Sequence, residues 1–185
     1  MELQTERTIL RHWQENDAEA LYNIASNPKI GLNAGWKPHT CVEYSREIIR
    51  KILSSEKEFY AIVLKETNEL SGCAGFLLGE AKHSKTMGNN DAEAGYWIGV
   101  PYWGQGLIPE AMRELVRHGF EDLGLDAIWA GHYNGNLRSK RVADKLGFTY
   151  QHTEEENEKD SPLHLTQDIL FYRITKQEWA KNKEI

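Results

Sequence analysis

The stretch Trp103-Gly104-Gln105-Gly106-Leu107-Ile108-Pro109-Glu110-Ala111 joins an apolar segment to a strongly amphipathic one. Two glycines two positions apart allow a sharp turn and a close approach of the backbone to a ligand. The N–H groups in the first turn of a helix have no partners within the helix. The helix dipole stabilises an anion bound there by about 0.3–1 kcal/mol at an exposed site. The stretch therefore predicts a phosphate-binding turn, with Pro109 at the first helical position.

A tight turn that simply requires glycine is the alternative interpretation of the same residues. Two other phosphate-binding motifs do not match. A Walker loop is excluded because no Gly-Lys-Ser/Thr follows, and the dinucleotide fingerprint fails because its third glycine would stand at Pro109. The flanking sequence must therefore identify the ligand.

Hydrophobic periodicity on both sides of this turn predicts a mixture of strands and helices. The predicted strands are Thr5–His12, Glu58–Leu64, Leu70–Leu78, Ala92–Val100, Ala127–Tyr133, Phe148–Thr153 and Leu165–Ile174. Helices are predicted between Asn16 and Pro28, at Val42–Ser54, Pro109–Leu123 and Asn136–Leu146, and at the C-terminus. Loops are predicted around Gly31, Gly35 and Pro38, at Lys82–Asn90, and at the acidic segment Glu154–Pro162. This pattern predicts one α/β or α+β domain over residues 1–185, with Tyr44, Ile48, Ile49 and Ile52 of the second helix turned inward.

The composition is that of an ordinary globular chain, with 40% apolar and 27% charged residues. Its apolar stretches are far shorter than the roughly 20 residues of a membrane span, and Met1–Arg7 contains no basic region leading into an apolar core. We therefore expect a cytoplasmic protein without a membrane partner. The formal charge of -6 also disfavours nucleic-acid binding.

The cysteines and histidines show no metal-binding pattern. Cys41 and Cys73 lie in no CxxC motif, and none of the seven histidines forms an i, i+4 pair. The sequence therefore predicts neither a metal site nor a structural disulfide. Cys73 is interpreted as a small buried apolar residue.

The arrangement of several motifs along the chain carries more information than any one of them. The strand Ala92–Val100, the turn Pro101–Gly106 and a helix beginning Glu110-Ala111 precede Asn136-Leu137-Arg138-Ser139 and Lys145-Leu146-Gly147-Phe148. This arrangement resembles the GNAT acyltransferases, and more narrowly the branch that includes the ribosomal-protein N-terminal acetyltransferases (RimJ/RimL type). The resemblance covers nearly the full length and implies the GNAT fold, an α/β (α+β) fold with a mixed central sheet of about seven strands flanked by helices.

The resemblance also implies acetyl-CoA as co-substrate. The pyrophosphate loop of the family, (Gln/Arg)-x-x-Gly-x-(Gly/Ala), begins here at Trp103, has Gly106 as its central glycine and ends at Ile108. Trp103 and Ile108 depart from that pattern, and the first departure is familiar in the RimJ/RimL-like branch. The residues implied to bind the cofactor are Ile98, Val100, Trp103, Gly104, Gln105, Gly106, Leu107, Ile108, Asn136 and Ser139.

Acetyl transfer from a thioester needs a proton acceptor for the amine and a proton donor for the departing thiolate. The resemblance implies that Glu93 is the base, directly or through water, whereas a solvated strand position or an ion pair is the alternative. Asp91 is a weaker candidate because it is predicted to lie in the preceding loop. Ser139, three positions after Asn136, matches the serine that this branch offers as a candidate to protonate the departing thiolate, and a plain position in a first helical turn is the alternative. Many other members have a tyrosine at the position of Ala143, which this chain lacks. Asn136 is expected to be a helix N-cap as well.

The expected acceptor is a primary amine: a protein or peptide α-amine first, and a small amine such as a polyamine or an aminoglycoside second. A non-catalytic acyl-CoA-binding module is the competing class. We expect the acceptor pocket to be lined by four segments: Gly31–Thr40, Val42–Ser54, Lys82–Asn90 and Glu154–Pro162. Trp36 and Glu154-Glu155-Glu156 could contact a cationic acceptor, although a charge run is more often a solvated loop. A homodimer is the assembly expected from frequency alone.

Overall fold

The computed structural model of the chain describes residues 2–159 and 161–183. The strands in this part of the chain are β1 Leu3–Gln4, β2 Thr8–His12, β3 Phe59–Leu64, β4 Leu70–Leu77, β5 Asp91–Ile98, β6 Ala127–Tyr133, β7 Thr149–Glu156 and β8 Gln167–Thr175. The α-helices are α1 Ala18–Ala25, α2 Pro28–Ala34, α3 Val42–Ile48, α4 Leu107–Glu121, α5 Leu137–Lys145 and α6 Lys176–Lys183.

The eight strands follow the order β1-β2-β3-β4-β5-β6-β8-β7 in one mixed sheet. β5 and β6 are parallel, with Asp91 opposite Ala127 and Ala94 opposite Ala130. The pairs β1–β2, β2–β3, β3–β4, β6–β8 and β7–β8 are antiparallel. The predicted mixed α/β fold is thus confirmed, with eight strands rather than about seven.

The extra strand arises at the N-terminus. The sequence predicts one strand over Thr5–His12, but β2 begins at Thr8 and the two-residue β1 pairs back onto it. Thr5 donates its N–H to the carbonyl oxygen of Thr8 at 2.9 Å, which closes a tight turn between the two strands. The prediction of strand structure at Thr5–Arg7 was therefore wrong.

The chain divides into two compact units. The first unit comprises Met1–Gly75 and Tyr96–Glu114, and the second comprises Phe76–Gly95 and Leu115–Ile185. The core of the first unit is an apolar cluster from the segment after β2, α1, the helical turn that follows α3, and strands β3 and β4: Trp13, Ala18, Leu21, Ala25, Ile49, Leu53, Ala61, Val63, Leu70 and Cys73. Burying a side chain such as Leu21 contributes about 1.5–3 kcal/mol, so this cluster is a principal source of the unit's stability.

In the second unit, the two faces of β5 and β6 have different partners. Ile128 meets the C-terminal half of α4, where a Cβ on Gly119 would lie 2.9 Å from Ile128 Cδ1 and 3.0 Å from the Phe76 ring. The opposite face carries Trp129, which packs with Met87 and Phe171. Since side chains alternate between the two faces of a strand, residues aligned with Trp129 belong to the Met87 side of the sheet.

Two predictions between residues 28 and 54 were wrong. Pro28–Ala34 forms α2 instead of a loop, because Asn27 caps it by accepting from Lys29 N–H, Pro28 occupies its first turn and Gly35 ends it at φ 84°. The helix that begins at Val42 widens into a π-helical turn over Ile49–Leu53. Ile49 is buried and Ile48 packs against the apolar core, as predicted, whereas Tyr44 and Ile52 are exposed and Ser45 and Leu53 are buried in their place.

Two further boundaries differ from the prediction. α4 begins at Leu107, so Pro109 is its third residue and not its first, although it still lies in the turn where no helical N–H is required. β7 extends to Glu156, so the first three residues of the predicted acidic loop Glu154–Pro162 belong to a strand. Asp160 of that loop lies outside the described residues.

Candidate active site

The glycine turn of the first unit has the backbone conformation expected from its sequence. Gly104 and Gly106 have φ values of 77° and 78°, in the left-handed region that disfavours every residue with a Cβ. α4 starts at the next residue, Leu107, and the N–H of Glu110 donates to the carbonyl oxygen of Gly106 at 3.2 Å. The turn therefore ends directly in the first, anion-attracting turn of a helix.

The side chains of the turn hold its own backbone. Trp103 Nε1 donates to the carbonyl oxygen of Ile98 at 3.0 Å, and Gln105 Nε2 donates to that of Pro101, also at 3.0 Å. Leu107 and Ile108 are buried. The side chains of these four residues thus hold the turn in its conformation.

Val100 and Ile98 lie on the approach to this turn. Ile98 is the last residue of β5, and Val100 is the first residue of a short 3-10 helix, Val100–Tyr102. At the end of this helix, the N–H of Trp103 donates to the carbonyl oxygen of Val100 at 3.2 Å. The N–H of Gly99 donates to the carbonyl oxygen of Ser71 at 2.8 Å, which ties the end of β5 to β4. The predicted cofactor-binding residues from 98 to 108 therefore form one continuous, hydrogen-bonded segment of the first unit.

Arg7 and Glu110 brace the turn, a role that the sequence analysis missed. Arg7 Nη1 donates to the carbonyl oxygen of Gln105 at 3.0 Å, while its Nη2 lies 2.6 Å from Glu110 Oε2. Glu110 also accepts from Thr5 Oγ1 at 2.6 Å and from the N–H of Arg7 at 2.7 Å. Burial alone would raise the pKa of Glu110, but the hydrogen bonds from Thr5 and Arg7 outweigh it, so the pKa of this carboxyl is lowered.

Glu93 lies in β5 of the second unit and is paired with a histidine. It stands opposite Trp129 in the parallel register, which places it on the Met87 side of the sheet. Its Oε2 accepts from the N–H of His83 at 2.7 Å, and its Oε1 lies 2.9 Å from His83 Nδ1. The structure thus places Glu93 as a buried carboxylate paired with an exposed histidine, and not on a solvated face.

Asp91 has a different neighbour and lies at the first position of β5, not in the preceding loop. Its Oδ2 accepts from Trp129 Nε1 at 2.9 Å and from the N–H of Gly88 at 2.7 Å. The bond from Gly88 attaches the Lys82–Asn90 loop to β5, and the bond from Trp129 joins β6 to β5. Asp91 is thereby explained by a structural role.

Asn136 and Ser139 lie at the start of α5 in the second unit. Asn136 is the N-cap, and its Oδ1 accepts from the N–H of Ser139 at 3.2 Å. This confirms the predicted cap.

A polar cluster joins β7 to the Lys82–Asn90 loop and to β6, and so brings together two of the segments expected to form the acceptor pocket. In this cluster, Ser84 Oγ donates to Glu154 Oε1, His152 Nε2 lies 2.8 Å from the same oxygen, and Tyr133 donates its hydroxyl to Glu156 Oε2 at 3.0 Å. Burial and the hydrogen bond to Glu156 raise the pKa of Tyr133 to about 12. Glu154 and Glu156 are therefore half-buried, partnered carboxylates, in contrast to the solvated loop that a charge run usually forms.

The remaining predicted residues have structural partners. Trp36 is half-buried against the rings of His39 and Trp97, at centroid distances of 5.3 and 6.0 Å. Cys41 caps α3 through its sulfur, and Cys73 is buried with its pKa raised to about 12 by burial. Both cysteines are free.

The described residues show neither a metal-binding cluster nor a membrane-spanning helix. Within residues 2–159 and 161–183, no group of three or more His, Cys, Asp or Glu side chains is arranged to hold a metal ion. The helices of this part of the chain include none that is long and apolar enough to cross a membrane.

Comparison with known proteins identifies the family. Residues 7–149 match the acetyltransferase (GNAT) domain. The chain is 30% identical over 182 residues to the uncharacterized N-acetyltransferase p20 of Bacillus licheniformis, covering 96% of this chain and 98% of that protein.

Two solved structures share its fold. A GNAT-family acetyltransferase from Bacillus anthracis superposes with a TM-score of 0.79 at 23% identity, covering 96% of this chain and 100% of that one. RimL, a ribosomal L7/L12 α-N-protein acetyltransferase in complex with coenzyme A, superposes with a TM-score of 0.75 at 18% identity, covering 96% and 99%. The chain belongs to the GNAT family of N-acetyltransferases.

Proposed function

We propose that this enzyme transfers the acetyl group of acetyl-CoA directly to a primary amine, and that the preferred acceptor is the α-amine of a protein or peptide. The observation that carries the proposal is the glycine turn, in which the left-handed Gly104 and Gly106 lead directly into α4. Such a turn presents backbone N–H groups and a helix dipole to a diphosphate. RimL, which shares the fold, is a protein α-amine acetyltransferase that binds coenzyme A.

In this proposal, the backbone of residues 103–108 holds the diphosphate of coenzyme A, and Ile98 and Val100 bind the adjoining part of the cofactor. Asn136 and Ser139, at the start of α5, contribute the second set of cofactor contacts. The cap formed by Asn136 fixes the first turn of α5, so it also fixes the position of Ser139.

The chemistry requires no covalent enzyme intermediate because the thioester is already activated. The amine nitrogen attacks the thioester carbon, the C–S bond breaks, the amine loses a proton and the thiolate gains one. In our proposal Glu93 acts in the removal of the amine proton, either directly or through another group. The Ser139 hydroxyl protonates the departing thiolate. Ala143 stands where many family members have a tyrosine, so the thiolate needs another donor.

An α-amine is the acceptor that requires least from such a base. Deprotonating an α-amine of pKa near 7.8 costs about 1 kcal/mol at pH 7, whereas a lysine-like amine of pKa about 10.4 costs about 4.6 kcal/mol. The partly buried carboxylates Glu154 and Glu156 favour a cationic acceptor of either kind. Small amines such as polyamines and aminoglycosides are therefore the second candidate.

The test is to incubate the protein with acetyl-CoA and a panel of acceptors while following thiol release. One arm contains peptides with free and with blocked N-termini, and the other contains polyamines and aminoglycosides. We expect release with free N-termini only, with acetylation of the α-amine located by mass spectrometry. Gly106→Glu is the control, since a carboxylate in the turn repels the diphosphate. Tight binding of acetyl-CoA without turnover on any acceptor would instead indicate a non-catalytic binding module.

A further inference from the structure

The pairing of Glu93 with His83 determines which of the two groups can meet an acceptor. The side chain of Glu93 is 7% exposed, whereas that of His83 is 61% exposed. Both carboxylate oxygens of Glu93 already accept hydrogen bonds from His83, one from its N–H and one from its ring. An amine that approaches from solvent therefore reaches the imidazole before it reaches the carboxylate.

The hydrogen bond also fixes the tautomer of the imidazole. An ionised carboxylate can only accept, so Nδ1 of His83 must carry a proton when it bonds to Glu93 Oε1 at 2.9 Å. A neutral imidazole has one protonated nitrogen and one lone pair. The lone pair of neutral His83 therefore lies on Nε2, the nitrogen that Glu93 does not use.

The loop that carries His83 is held on both sides of this residue. Ser84 is buried and donates to Glu154 of β7, and Met87 is buried in the apolar cluster with Trp129. On the other side, Lys82 Nζ donates to the carbonyl oxygen of Asp91 at 3.3 Å. These contacts hold the His83 backbone against β5, so its ring has a defined position relative to Glu93.

The charges around His83 favour proton uptake. The hydrogen bond to Glu93 raises the pKa of His83, burial opposes it, and the charges of Glu93 in β5 and Glu156 in β7 raise it further. A base with a raised pKa pulls more strongly on an amine proton, provided that it is still neutral at the working pH. An α-amine, whose pKa lies closer to that of a histidine than the pKa of a lysine-like amine does, suits such a base.

We propose that Nε2 of His83 takes the proton from the acceptor amine, and that Glu93 is a positioning residue that acts through His83. This inference rests on the proposed acetyl transfer. The amine nitrogen bonds to the acetyl carbon, the C–S bond breaks with its electron pair left on sulfur, and the amine proton moves to Nε2. The thiolate takes a proton from Ser139 or water, and His83 returns its proton to solvent.

The test compares three variants with the wild type: His83→Ala, His83→Gln and Glu93→Gln. Glutamine at position 83 keeps an N–H donor for Glu93 but cannot take up a proton. We expect both His83 variants to lower kcat by about 10²–10⁴-fold while the Kd for acetyl-CoA changes by less than about twofold. Glu93→Gln should retain part of the activity and move the rising limb of kcat/KM against pH to lower pH, because the carboxylate that raises the His83 pKa is gone.

His164→Asn is the matched control, because His164 is exposed and asparagine tolerates its left-handed φ of 56°. It should leave kcat and the pH profile unchanged. Full activity of His83→Gln together with an inactive Glu93→Gln would overturn the inference and leave Glu93 as the direct base. Loss of acetyl-CoA binding in both His83 variants would also overturn it, since that result indicates a structural role. No thiol release by the wild type with any acceptor would refute the proposed function itself.

Discussion

Arg7 and Glu110 are separated by 103 positions in sequence, yet Arg7 Nε and Nη2 lie 2.7 and 2.6 Å from Glu110 Oε2. The same guanidinium donates to the carbonyl oxygen of Gln105 through Nη1. One side chain thus connects the segment before β2, the glycine turn and the first turn of α4. Because Arg forms a planar fork of donors, it can hold these groups in a single geometry that Lys cannot reproduce.

We expect Arg7→Ala to weaken acetyl-CoA binding without unfolding the protein. Without Arg7, no guanidinium holds the carbonyl oxygen of Gln105, and the turn becomes less ordered in the free protein. Part of the free energy of acetyl-CoA binding is then spent on ordering the turn. A loss of about three- to tenfold in affinity corresponds to about 0.7–1.4 kcal/mol. Isothermal titration calorimetry with acetyl-CoA measures the effect.

Arg50→Ala is the matched control for this experiment. Arg50 makes a similar two-pronged ion pair with Glu15, at 2.9 and 2.7 Å, on the surface of the same unit. Its removal should leave the affinity for acetyl-CoA unchanged. Equal losses in the two variants would show that Arg7 has no specific effect on the turn.

The left-handed glycines of the turn lead to a second prediction. Gly106→Ala should lower the free energy of unfolding by about 1–2 kcal/mol, because a Cβ is disfavoured at φ 78°. It should also reduce the affinity for acetyl-CoA by about tenfold or more, since relaxing the strain moves the backbone that meets the phosphate. Chemical denaturation and calorimetry provide the two measurements.

Gly124→Ala separates backbone strain from ligand binding. Gly124 has φ 69°, and a Cβ there would meet no heavy atom within 4 Å. This variant should show a comparable loss of stability with unchanged acetyl-CoA affinity. Unchanged affinity in Gly106→Ala as well would contradict the assignment of the turn as the diphosphate site.

Local patterns explain which features the sequence predicts well. α4 follows a continuous 3.6-residue periodicity, and α5 lies between an Asn cap and Gly147 at φ 78°. The helix α2 was missed because Pro28 was interpreted as the end of α1 and not as the start of a new helix. The π-helical turn after Ile48 has no comparable signal, since its wider register depends on how α3 packs.

The site is predicted less completely than the fold because its contacts join distant parts of the chain. The phosphate turn is a contiguous motif, whereas the pairs Arg7–Glu110 and His83–Glu93 depend on tertiary structure. A histidine in a polar loop such as Lys82–Asn90 resembles any exposed histidine in sequence. Only the register of β5 and the path of the loop show that His83 meets a buried carboxylate.

The lowered pKa of Glu110 predicts a dependence of stability on pH. A carboxyl whose pKa is lowered on folding stabilises the native state above its ordinary value of 4.5, and this contribution is lost as the pH falls below that value toward the lowered pKa. Glu110→Gln removes the contribution. The wild type should therefore exceed the variant in unfolding free energy by more at about pH 7 than at about pH 3. Urea denaturation at both pH values tests this.

The double variant with Arg7→Ala shows whether the ion pair is responsible. If Arg7 and Thr5 together hold the Glu110 carboxylate, Arg7→Ala alone should reduce the pH dependence but not abolish it. Adding Arg7→Ala to Glu110→Gln should then cause no further change in pH dependence. A pH dependence in the double variant that equals that of the wild type would assign the effect to other carboxyl groups.

Ser139 is the residue for which a helical role and a chemical role can be separated most directly. Its backbone N–H donates to Asn136 Oδ1, the cap of α5, at 3.2 Å. Ser139→Ala keeps that N–H, so the stability of α5 should be retained, while kcat falls by about 10–10²-fold if the hydroxyl protonates the thiolate. Ser139→Thr, which restores a hydroxyl, should recover most of this loss.

Asn136→Ala provides the opposite pattern. Removing the cap should lower the free energy of unfolding by about 0.5–2 kcal/mol. Because the start of α5 then frays, KM for acetyl-CoA should rise together with the loss of stability, whereas Ser139→Ala should change kcat alone. If Ser139→Ala instead raises KM and leaves kcat unchanged, the hydroxyl contributes to cofactor binding and the thiolate takes its proton from water. Steady-state kinetics with acetyl-CoA as the varied substrate distinguish the two outcomes.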